Sequence, residues 1–179
     1  LHEDETLIAL LAKRFPDSTN HQSPNLTSHI EEITAALREA PGDPYKGEPI
    51  FAARCAACHM LFHKGGSIGP DLTSYQREDL STLLPSLIAP SMEIREGYEN
   101  YFVTTNDGRA LGGFLSDQDA NVITIRGFDG ADISISRSMV SELRPAGRSL
   151  MPDGLLDDLN DQQLRDFFAY LRIPQPISQ

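Results

Sequence analysis

Residues Cys55–His59 read CAACH, and this short run constrains the chain more than any other feature. Two thiols three positions apart on one helical turn lie on the same side of the turn, and the next residue is a histidine. This spacing is the signature for covalent attachment of haem, in which each thiol joins one vinyl group and the histidine binds the iron. The run predicts one haem c, attached through Cys55 and Cys58, with His59 as the proximal iron ligand.

Three other interpretations of CAACH compete with haem attachment. A structural zinc site needs four cysteine or histidine ligands, whereas the chain has two cysteines and its other histidines are scattered singly. A thioredoxin-like redox pair would follow a strand within a βαβ pattern, and neither is evident. A coincidental match with two inert cysteines is the third alternative.

Two more motifs follow in order, and with CAACH they resemble class I cytochromes c. Ile68–Leu72 reads IGPDL, and Ser149–Pro152 reads SLMP just before an amphipathic C-terminal segment. In that family the proline carbonyl accepts a hydrogen bond from the ligand histidine, and a methionine before the last helix is the distal iron ligand. The resemblance implies these roles for Pro70 and Met151, and Leu72 is expected to help bury the haem.

Four residues compete with Met151 as the distal ligand. They are Met60, Met92, Met139 and His63. Met60 follows the proximal histidine directly and would have to reach around to the opposite face of the haem. Met92 and His63 stay open as alternatives.

Composition and charge limit the partners and the compartment. The 179 residues suit about one domain, and the net charge of −11 with a pI near 4.7 argues against binding to nucleic acid or anionic membranes. A basic or neutral protein partner fits this charge better. The sequence contains neither a run of about 20 apolar residues nor a signal peptide. Because haem c is attached outside the cytoplasm, we expect a periplasmic or otherwise exported protein, present here as a mature fragment or an excised domain.

Helical periodicity predicts helices in most of the chain outside its middle. Residues 1–44 are expected to form an N-terminal helical extension or linker of two short helices, around Leu7–Leu11 and Leu26–Leu37. A helix entering at Pro49 would carry the CAACH run. Another is expected over Leu80–Ile88, starting late or kinked because of Pro85.

The last helix has the clearest pattern. Its apolar stripe has i, i+3, i+4, i+7 spacing, and Asn160 with Gln163 forms a plausible capping box at its start. The stripe consists of Leu164, Phe167, Phe168 and Leu171. By resemblance to class I cytochromes c, this helix should cross the CAACH helix near Gly47 and Phe51.

The middle of the chain changes from helical to alternating periodicity. Strands are predicted at 101–105, 110–115, 122–126 and 133–136, with one more short strand near 139–143. Asp-Gly pairs at 107–108 and 129–130 supply turns for two hairpins. Residues 97–146 are therefore predicted to be a small antiparallel β unit inserted in the haem domain. It would either shield the core and the haem edge or offer a surface to a partner or a second copy.

Together these motifs resemble a haem-binding domain known from planctomycete and verrucomicrobial bacteria. There the domain lies at the C-terminal end of large exported dehydrogenase-like proteins. The match covers roughly residues 45–173, with 174–179 as a tail. The fold is expected to be mainly α, a class I cytochrome c fold with the β insertion. The resemblance implies a non-enzymatic monohaem electron-transfer module, with a dehydrogenase as electron donor and another protein as acceptor. The alternatives are a haem enzyme or gas sensor with an open distal position, and a structural interaction domain stapled by haem.

Overall fold

A computed structural model describes residues 24–178 of the chain. The helices in this part are α1 (Pro24–Glu39), α2 (Pro44–Arg54), α3 (Leu80–Ile88) and α4 (Asp161–Leu171). The strands are β1 (Met60–Leu61), β2 (Lys64–Gly65), β3 (Asn100–Thr105), β4 (Ala110–Gln118), β5 (Val122–Arg126), β6 (Asp132–Ser136) and β7 (Val140–Pro145). The predicted helix around Leu7–Leu11 lies outside the described residues.

Helix α2 begins at Pro44, so the predicted start at Pro49 is wrong. The Asp43 side chain accepts a hydrogen bond from the Tyr45 backbone N–H, and Pro44 fits the first turn of a helix. These two signals start the helix early and leave Pro49 inside it.

The predicted crossing of α2 with the last helix is confirmed. A Cβ atom on Gly47 would lie 2.0 Å from the Asp166 carbonyl oxygen, so only glycine permits this approach. The rings of Phe51 and Tyr170 meet beside the crossing, with centroids 5.5 Å apart. The predicted capping box is also present at the start of α4, where Asn160 and Gln163 bond each other's backbone N–H groups.

One apolar core joins the helices. It holds the predicted stripe of α4, Phe51 of α2 and the leucines of α3. Helix α1 adds Ile33, which is 2% exposed, and Ala36 to the same core. Helices α2, α3 and α4 and helix α1 therefore bury their apolar faces against one another.

The middle of the chain forms a five-stranded antiparallel sheet in the order β6-β5-β4-β3-β7. The two predicted hairpins are present, as β3 with β4 and β5 with β6. The last strand does not continue the meander but returns to pair with β3 at the opposite edge. A second small core lies on one face of the sheet, formed by Val103, Ile123, Ile125 and Ile135.

The expectation of a mainly α fold is wrong. Of the described residues, 31% are helical and 23% lie in strands, including the five-stranded sheet. The sheet buries its own set of β-branched side chains, so it is a separate structural layer with a core of its own. The fold is mixed α and β.

None of the helices in the described part is long and apolar enough to cross a membrane.

Candidate functional site

A deep cleft opens between α2, α3, the sheet and the loop that precedes α4. The empty space between its walls, counted together with the open solvent at its mouth, is about 1230 Å³. Its lining is mostly apolar and brings together residues from distant parts of the sequence. All six predicted site residues lie on this lining: Cys55, Cys58, His59, Pro70, Leu72 and Met151.

The CAACH run continues the last turn of α2. The backbone N–H of His59 donates to the Cys55 carbonyl over 2.8 Å, and the Cys58 N–H donates to the same oxygen over 3.1 Å. Cys55 is buried and Cys58 is exposed. Burial raises the pKa of the Cys55 thiol to about 11, so the free thiol is protonated at neutral pH. Both cysteines line the same cleft, as the motif requires.

The ring of His59 is held from two sides. Its Nδ1 lies 3.0 Å from the Pro70 carbonyl oxygen, which can only accept, so Nδ1–H is the donor and Nε2 keeps its lone pair for a metal. Gly69 packs against the ring: a Cβ atom there would lie 2.6 Å from Cε1 of His59. The Gly69 N–H also donates to the Cys58 carbonyl over 2.8 Å. Gly69-Pro70 is therefore a support for the ring and not merely a turn.

The structure separates Met151 from its competitors. Met151 lines the cleft, whereas the other three methionines, all within the described residues, do not. Met92 is 63% exposed and Met139 is 39% exposed. His63 is exposed in the β1–β2 turn with φ +65° and is likewise absent from the lining.

Two serine hydroxyls hold the backbone around Met151. The Met151 N–H donates to Ser149 Oγ over 3.1 Å. The Ser149 N–H donates to Ser91 Oγ, also over 3.1 Å. The segment 148–159, here called the methionine loop, is thereby bonded to the chain just beyond α3.

The cleft has properties that fit haem. Arg77 is 7% exposed and lines the cleft, and its buried Nε has no hydrogen-bond partner within residues 24–178. A buried donor normally has a partner, and a haem carboxylate is of the right charge to supply one. The apolar walls, two thiols and two potential iron ligands of different chemistry complete a set that suits haem.

The structure gives no comparable support for a structural zinc site. In the described part of the chain, no three or more His, Cys, Asp or Glu side chains come together as a metal site.

Sequence reasoning missed three features of the cleft. Arg77 follows Leu72 by five positions and carries no motif of its own. Tyr98 and Phe114 line the wall formed by the β unit, with ring centroids 5.6 Å apart in an edge-to-face contact. The alternating pattern of β4 places Phe114 on the face opposite Leu115 but does not tell which face meets the haem domain.

Arg77 also supports the fold, which gives a testable prediction. Its guanidinium donates to the carbonyls of Leu171 and Ile173 over 2.7 and 3.0 Å, and thereby caps the end of α4. We expect Arg77→Met to lower the free energy of unfolding of the holoprotein by about 2–3 kcal/mol, because buried carbonyls lose their donor. Urea unfolding would measure this, with the exposed Arg172→Met as the matched control. Equal losses in both variants would contradict the role given to Arg77.

The comparison with known families agrees with this geometry. Residues 45–124 match the family model described as Cytochrome c, which is less than half of the chain. That segment is a cytochrome c haem-binding domain, so the protein binds haem and transfers electrons. Its cofactor is covalently attached haem c, and the sequence has cysteines for one such group. Cytochrome c domains are typically exported or periplasmic. No curated protein matches the chain.

Proposed function

We propose that this protein is a monohaem electron-transfer module whose haem is attached through Cys55 and Cys58 and whose iron ligands are His59 and Met151. The observation that carries the proposal is the convergence of these four residues on one apolar cleft, although Met151 is far from the other three in sequence. The hydrogen bond from His59 to the Pro70 carbonyl supports the assignment of His59.

The bound haem supplies an iron that exchanges one electron between its two oxidation states. The protein's part is to keep the surroundings unchanged while this happens. Pro70 and Gly69 fix the His59 ring, and the serine hydroxyls fix the Met151 backbone. A thioether ligand favours the reduced state, and two permanent ligands leave little to rearrange. The apolar lining, including Phe51, Leu72 and Phe167, excludes water.

We assign the β unit, residues 97–146, chiefly to shielding the cleft. Phe114 is 5% exposed and forms part of the cleft wall together with Tyr98. Farther along the same face, Phe102 and Phe128 are exposed on either side of Gly112. This outer part of the face is the surface that we propose for contact with a partner or a second copy.

The wider role rests on the sequence resemblance. We propose that residues 45–173 are the electron-accepting module of an exported dehydrogenase system, of the type found in planctomycete and verrucomicrobial proteins. A dehydrogenase would donate the electrons and another carrier protein would accept them in the periplasm. The net charge of −11 favours partners with basic surfaces.

Voltammetry of the haem-loaded protein tests the proposed function. We expect one reversible wave from a couple that obeys the one-electron Nernst relation, about 59 mV per tenfold change in the ratio of oxidised to reduced protein. Addition of hydrogen peroxide should leave the wave unchanged, because Met151 would bind the iron and leave no position free for peroxide. A large catalytic current with peroxide would contradict the proposal and favour a haem enzyme with an open distal position.

A further inference from the structure

Arg54 connects helix α2, which leads into CAACH, with the loop that carries Met151. It is the last residue of α2 and immediately precedes Cys55. Its Nη1 donates to Asp158 Oδ1 over 2.7 Å and its Nη2 donates to Asp158 Oδ2 over 2.8 Å, which makes the pair bidentate. Nη1 also donates to the Leu155 carbonyl over 2.8 Å. One side chain on the attachment helix thus binds the methionine loop, residues 148–159, at two points.

The position of these bonds within the methionine loop matters. Met151 lies between Ser149, which is bonded to Ser91, and the segment 155–158, which is bonded to Arg54. Between these two supports the loop is exposed at Pro152–Gly154, and Gly154 adopts a φ of +76°. The loop therefore has supports on each side of Met151. On the side of α4, Arg54 adds polar bonds to the burial of Leu156 and Leu159 in the core.

The chemistry of the Arg54 pair favours a fixed geometry. A guanidinium matches the two oxygens of a carboxylate in one plane, which an ammonium group cannot do. The Arg54 side chain is 25% exposed, whereas that of Asp158 is 72% exposed. Solvent weakens the charge attraction at such a site, so its main effect is to set the orientation of the loop and not to add much stability.

We propose that Arg54 is a positioning residue that holds the methionine loop on helix α2 and so slows the opening by which Met151 would leave the iron. The inference rests on the proposed function, in particular on Met151 as the distal ligand. It concerns the rate at which the loop opens and not the identity of the ligand.

Carbon monoxide binding to the reduced, haem-loaded protein measures this opening. When Met151 must leave first, the observed rate reaches a plateau at high gas concentration, and the plateau is the opening rate. We expect Arg54→Met to raise this plateau about tenfold, because the loop then loses the charged donor to the Leu155 carbonyl together with the forked contact at Asp158. Asp158→Asn should raise it in the same direction, and Arg54→Lys should fall between Arg54→Met and the wild type.

Arg165→Met is the matched control. Arg165 also bridges two segments, from α4 to the Ala36 carbonyl and Glu39 of α1, but it does not line the cleft. Its loss should leave the plateau at the wild-type rate, whatever it does to overall stability. A plateau raised equally in Arg54→Met and Arg165→Met would overturn the inference, because the effect would then be general loosening.

The outcomes separate this inference from the proposed function. If the wild-type protein binds the gas without a plateau, Met151 is not a firm ligand and the proposed function fails. If the wild type shows a slow plateau and both Arg54→Met and Asp158→Asn share it, only the role of Arg54 is refuted. Asp158→Asn leaves the attachment helix intact, so the test remains decisive even if Arg54→Met attaches haem poorly.

Discussion

Replacing Met151 with alanine is expected to open the distal side of the haem and to lower its reduction potential by on the order of 0.1–0.3 V. Axial ligands control haem potentials over about 0.8 V, and a thioether favours the reduced iron. The reduced variant should bind carbon monoxide rapidly, because no protein ligand has to leave first. Redox titration and gas binding would measure the two effects.

Met92→Ala is the control for this experiment. Met92 is 63% exposed and does not line the cleft, so its loss should change neither the potential nor gas binding. The assignment of Met151 is contradicted if both variants keep the wild-type potential and resist the gas.

The second large effect is expected at Gly69, where any side chain meets the proximal histidine. A Cβ atom at this position would lie 2.6 Å from Cε1 and 2.8 Å from Nδ1 of His59. The ring is also fixed by its bond to the Pro70 carbonyl, so it cannot move away without losing that bond. We expect Gly69→Ala to destabilise the holoprotein by about 1–3 kcal/mol, as overpacking does, and to lower the yield of haem-loaded protein.

Gly112→Ala supplies the comparison. A Cβ atom on Gly112 would find its nearest neighbour 3.6 Å away, which is an ordinary contact. Urea unfolding of both variants, with the haem content of each measured first, would separate the two sites. Similar stability and haem content in Gly69→Ala and Gly112→Ala would refute the close packing of Gly69 on the histidine.

The parts of the fold that could be predicted are those specified by neighbouring residues. The capping box of Asn160 and Gln163, the apolar stripe of α4 and the two Asp-Gly hairpins all lie within short windows, and all are present. The start of α2 was also encoded locally, by Asp43 and Pro44. It was missed because Pro49 offered a competing first-turn signal.

The relations between distant segments could not be predicted in the same way. The pairing of β7 with β3 depends on which sheet edge is free, and hydrophobic alternation does not specify this. For the same reason the share of the fold that the sheet forms was underestimated, and the fold was expected to be mainly α. The contacts of Arg54 with Asp158 and of Arg77 with Leu171 join residues about a hundred positions apart and leave no motif in either segment.

The residues of the candidate site were easier to predict from the sequence than the residues that orient them. The motifs CAACH, IGPDL and SLMP each carry a residue type with distinctive chemistry, and the structure brings all three to one cleft. The groups that orient those residues, such as Gly69 and Ser149, are common residue types whose role depends on packing.

The most direct test of His59 and Met151 as the two iron ligands is the visible spectrum of the wild-type holoprotein, oxidised and then reduced under carbon monoxide. We expect the weak long-wavelength band of an iron–thioether bond in the oxidised protein. The reduced spectrum should stay unchanged when the gas is first added. Absence of the band together with immediate gas binding would contradict the account, because the distal position would then be open.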